Sequence, residues 1–61
     1  MALNLKRNID RPDDFYQELL DMQRGMEEED VQVMNAKLIL ILSNHIGDHK
    51  TLSEAMSLAK N

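Results

Sequence analysis

The sequence predicts an all-α protein, with three short helices per chain paired into a homodimeric helical bundle. Three observations carry that expectation. Apolar residues recur at helical spacing in segments near residues 12–24, 29–46 and 51–60; each segment opens on a start signal, and the first two close on glycine.

The first helix begins at Arg11-Pro12, because proline suits the first helical position and Asp13 and Asp14 put negative charge at the positive end of the helix dipole. Phe15, Leu19, Met22 and Met26 then follow at spacings of four, three and four. Tyr16 and Leu20 widen this stripe, Gln17, Glu18, Asp21 and Arg24 occupy the opposite side, and Gly25 is expected to end the helix as a left-handed cap.

The second helix is the most informative. Lys37-Leu38-Ile39-Leu40-Ile41-Leu42 places five large aliphatic side chains on consecutive positions. At about 100° per residue, Val31, Met34, Leu38, Ile41, Leu42 and His45 gather on one side, while Val33, Ala36 and Leu40 lie on the other. The remaining segments of so short a chain can cover one of those sides, so the second points to another chain. The acidic run Glu27-Glu28-Glu29-Asp30 reads as the start of this helix, and Gly47 supplies its end. Thr51-Leu52-Ser53-Glu54 has the form of a capping box for the third helix, whose face is Leu52, Ala55, Met56 and Ala59.

Residues 1–10 lack helical periodicity and form an arm carrying Leu3, Leu5 and Ile9; residues 11–61 form a single helical domain. A chain of 61 residues buries about 60% of the surface its unfolded form exposes, and its own core supplies only ~3–5 kcal/mol. With no cysteine to form disulfides or thiolate metal sites, oligomerisation is the natural further source of stability. The expected interface residues are Leu3, Leu5, Val33, Ala36 and Leu40.

Charge and hydropathy exclude several partners. The net charge is −4, and Lys6, Arg7 and Arg11 form the one basic cluster, read as a solvated arm, so nucleic acid is not expected. No run approaches the ~18 apolar residues of a membrane span, and the N-terminus lacks the apolar stretch of a signal peptide. The expectation is a soluble cytoplasmic protein without a membrane partner.

Chemistry has little to stand on. His45, Asp48 and His49 have the spacing of helical metal ligands, but Gly47 interrupts the helix between the histidines and no further nitrogen or sulfur ligand is at hand. No metal or cofactor is expected; His45 reads as a packed or hydrogen-bonded residue at a helix end, and His49 as exposed. Asn35 and Asn44 are weak helix formers with no nucleophile beside them; Asn35 either fixes the register of a helix pair or bonds nearby backbone. Met22, Met26, Met34 and Met56 all fall on apolar stripes and read as core filling. No phosphate-binding loop, nucleophile elbow or Cys/His pair is present, so no catalytic residue is assigned.

The segments Pro12-Asp13-Asp14-Phe15-Tyr16, Asn35-Ala36-Lys37-Leu38, Asn44-His45-Ile46-Gly47-Asp48 and Leu52-Ser53-Glu54-Ala55, in that order, resemble a small bacterial family, domain of unknown function 2783. The likeness runs from about Leu3 to Ala59. Where relatives tend to carry Ala-His near the end of the first helix, this chain has Met22-Gln23. The resemblance implies no assigned activity or catalytic residue, but it implies genes that often lie beside FAD-dependent hydroxylases of aromatic compounds. The expected function is thus a non-catalytic accessory protein that dimerises through the second helix and assists such a flavin-dependent hydroxylase. The alternative is a small regulatory or sensing protein that binds an aromatic metabolite between its helices.

Overall fold

Local signals and structure agree closely on what is helical. In a computed structural model, which describes residues 3–61, the chain forms α1 (Pro12–Met22), α2 (Glu28–Ile46) and α3 (His49–Lys60), with no strand among the described residues. The first two residues of the expected arm lie outside the described residues.

Pro12 stands at the start of α1 with Asp13 and Asp14 in its first turn. The residue before it, Arg11, holds a left-handed conformation (φ 49°, ψ 65°), which is costly for a residue bearing a Cβ. Its carbonyl accepts the Phe15 N–H at 3.0 Å. At the other end α1 closes two residues earlier than expected. The N–H groups of Gln23 and Arg24 turn back to the carbonyls of Leu20 and Asp21, tightening the last turn, and Gly25 (φ 77°) then redirects the chain. Gly25 is left-handed as expected, but it serves the connection and not the helix cap itself.

α2 starts from an extended Glu27 and carries Glu28, Glu29 and Asp30 in its first turn; it ends at Gly47 (φ 75°), whose N–H reaches the Ser43 carbonyl at 2.8 Å. The start of α3 corrects the sequence reading. Asp48, not Thr51, is the cap, and α3 begins at His49, two residues before the expected start. The Asp48 carboxylate accepts the Thr51 N–H at 2.9 Å and also the Thr51 hydroxyl, so an Asp-x-x-Thr pairing takes the place of the expected capping box.

Tertiary packing departs further from expectation. No two helices pack against each other along their length. The radius of gyration is 13.3 Å, where a compact chain of this length has about 10.5 Å. The accessible surface is 5865 Å², against about 4,100 Å² for a compact monomer of 7.1 kDa. No large apolar side chain is buried among the described residues; Thr51, at 7% exposure, is the buried residue. Met22, Met26 and Met56 are exposed, so three of the four methionines read as core filling are not core in the single chain, while Met34 is half-buried. The reason is geometric: helices that diverge cannot cover one another's apolar stripes.

Candidate interaction surface

The sides of α2 behave differently along its length. In its N-terminal half, Val31, Met34, Asn35 and Leu38 are half-buried and lie on one side of the helix, as the sequence stripe requires. That stripe is not covered further on. Ile41, Leu42 and His45 continue it, yet all three are exposed, so of the two roles expected of His45, packed or hydrogen-bonded, the packed one is not observed in the single chain. Val33, Ala36 and Leu40, the expected interface trio, are exposed on the opposite side.

Over residues 39–42 the helix is apolar and open on every side. Ile39 is 63% exposed, Leu40 69%, Ile41 64% and Leu42 48%. At about 100° per residue these four project in directions roughly 90° apart around the axis. Ile46, one turn beyond Leu42, is exposed as well. Such a segment cannot be satisfied by contact on one side alone.

The structure places the arm residues elsewhere. Leu3 is half-buried and Leu5 is 76% exposed; both line an open hollow along α3 with Ser53, Glu54, Ser57 and Leu58. The expected interface is therefore divided between an arm–α3 hollow and the outer side of α2. Ile39, Ile46, Tyr16 and Leu20 were not among the expected interface residues, yet all of them are exposed. The unbroken aliphatic run was itself the signal for Ile39, because consecutive residues necessarily point to all sides of a helix.

Several polar groups are engaged in local structure. Asp21 accepts from Gln17 Nε2 at 3.0 Å and from Arg24 Nη2 at 2.8 Å, forming an exposed ladder along α1. The Asp48 carboxyl is held below its usual range, first by the Thr51 hydroxyl and then by the Thr51 N–H, because both donate to its charged form. His49 Nε2 lies 3.5 Å from the Ser53 hydroxyl, within one turn of α3. With Asp48 committed to capping, the His45/Asp48/His49 spacing gives no ligand trio, and no group of three potential metal-ligating side chains occurs among the described residues. No helix among them is long and apolar enough to cross a membrane.

The sequence likeness extends over the arm, all three helices and both connections, with residues 3–61 matching one family. The chain belongs to DUF2783, a family described as proteins of unknown function. Membership brings no assigned activity with it. No curated protein and no solved structure matches the chain.

Proposed function

We propose that this member of DUF2783 is a non-catalytic interaction protein that acts as a homodimer and assists a flavin-dependent hydroxylase of aromatic compounds. The observation that supports an interaction role is the exposed aliphatic segment of α2, where Ile39, Leu40 and Ile41 are each more than half open in the single chain. Soluble proteins keep large contiguous apolar surface for contact with something else. The arm offers a second such element, since Leu5 is exposed beside the α3 hollow and Ile9 is exposed beside the start of α1. In this reading α2 serves self-association and the arm reaches the client enzyme. The choice of client rests on the resemblance and its implied gene neighbourhood, not on the geometry.

The test is a calorimetric titration of the neighbouring hydroxylase with this protein, together with melting curves of the enzyme with and without it. Binding to the native enzyme raises its melting temperature by mass action. The expected result is measurable heat and an upward shift at tens of micromolar. Neither heat nor shift at those concentrations, a limit of roughly 6–7 kcal/mol in affinity, would remove the hydroxylase from the proposal.

A further inference from the structure

The exposed half of α2 identifies its own cover. A flat two-fold contact shields one side of a helix, yet residues 39–42 open apolar side chains in four directions. The cover must therefore come from more than one element. The same chain holds suitable elements: α1 leaves Phe15, Tyr16 and Leu20 exposed, and they have no matching apolar helix within the chain. A surface that contains both an uncovered helix and an uncovered aromatic face is complementary to itself, and closed two-fold pairing is the commonest outcome of self-complementarity.

The area agrees with this arrangement. The chain exposes about 1,800 Å² more than a compact monomer of its mass. Removing that excess from each of two copies amounts to about 3,600 Å² in total, within the range of obligate dimers and far above a transient contact.

We propose that the C-terminal half of α2 is the shared centre of an interleaved homodimer, with the partner's α2 on one side and the partner's α1 on another, and that no stable folded monomer exists. This deepens the self-association in the functional reading above and is independent of the hydroxylase. Folding and association become a single step, because the apolar segment that would stabilise a monomer is left uncovered by the helices of its own chain. An interleaved pair also exchanges subunits no faster than it unfolds, whereas two prefolded monomers meeting face to face can separate without unfolding.

The experiment uses the full chain alone. Melting curves from 1 to 100 µM, with the mass measured by sedimentation, are expected to give a species of twice 7.1 kDa and a melting temperature that rises about 5–6 °C per tenfold increase in concentration. Subunit exchange between isotope-labelled and unlabelled dimers, followed by native mass spectrometry, should match the unfolding rate. The single variants Ile39→Lys, Leu40→Lys and Ile41→Lys should each raise the dimer dissociation constant at least tenfold or abolish folding. A folded 7.1 kDa monomer with a concentration-independent midpoint overturns the proposal. Exchange much faster than unfolding overturns the interleaving, as does a dissociation constant within twofold of wild type for any of the three variants. None of these readings involves the enzyme, so a failed hydroxylase titration and a failed dimer test are separate results.

Discussion

The Asp48 carboxylate grips Thr51 twice, accepting both its backbone N–H and its hydroxyl, and Thr51 is the most buried residue described. That pair fixes the start of α3 one residue after Gly47 has ended α2. Because both bonds go to the charged carboxylate, the pair also links the start of α3 to pH.

Both bonds favour the charged carboxylate, so the folded state lowers the Asp48 pKa relative to the unfolded chain. The stabilisation is complete above pH about 5, where the unfolded carboxyl is almost fully ionised, and it is lost as pH falls from there through the lower folded value. Melting temperature measured from pH 6 down to pH 2.5 should fall in the acid limb. Asp48→Asn, which keeps a capping side chain but does not titrate, should flatten that limb. An unchanged acid limb in the variant would assign the sensitivity to other carboxylates.

Gly47 and Gly25 test the backbone at two joints. Both have φ near 75°, but a Cβ at Gly47 would lie 3.7 Å from the Asn44 carbonyl oxygen, an ordinary contact, and one at Gly25 would meet nothing within 4 Å. The cost of alanine is therefore conformational at both sites, about 1 kcal/mol each. Chemical denaturation should find similar losses for Gly47→Ala and Gly25→Ala; a much larger loss at Gly47 would reveal a packing role.

Arg11 carries a comparable strain without glycine's freedom. Its ion pair with Asp14, at 3.9 Å between exposed groups, returns little. Arg11→Asn, a residue that tolerates the left-handed region, is expected to stabilise the protein by up to about 1 kcal/mol, read as a higher denaturation midpoint. A lower midpoint would mean that the arginine side chain contributes more than this pair.

Leu40 distinguishes shape from polarity on the open side of α2. Leu40→Met conserves apolar volume and is expected to change stability by less than about 1.5 kcal/mol. Leu40→Asp should cost at least about 2 kcal/mol per copy if that side chain is enclosed on association. Equal melting curves for the two variants at 10 µM would show that Leu40 stays in water.

The helices were legible because their signals are local. Pro12 with Asp13 and Asp14 marks one start, and Gly47 marks one end. The start of α3 was displaced because two caps compete within three residues: Thr51 heads a capping box on paper, yet Asp48 reaches the Thr51 N–H first and leaves the threonine inside the helix. The core was less legible. Periodicity identifies which side chains avoid water, and it correctly grouped Val31, Met34 and Leu38. It does not state which chain provides the cover. Met56 and Phe15 sit on proper stripes and are exposed in the single chain. The candidate surface was read in part: Leu40 and Val33 were placed on the side away from the chain's own stripe, whereas Ile39 and Ile41 required the observation that residues 39–42 lie open on every side.

The four carboxylates of residues 27–30 at the head of α2 give that helix an electrical direction. Two such helices laid side by side with the same orientation would bring both acidic heads together, in a chain whose net charge is already −4. Reversing one of them would separate the heads by nearly the helix length, about 28 Å, several times the ~8 Å over which charges act in physiological salt. The same short run that begins the helix therefore discriminates against parallel alignment, and raising the ionic strength would weaken that discrimination.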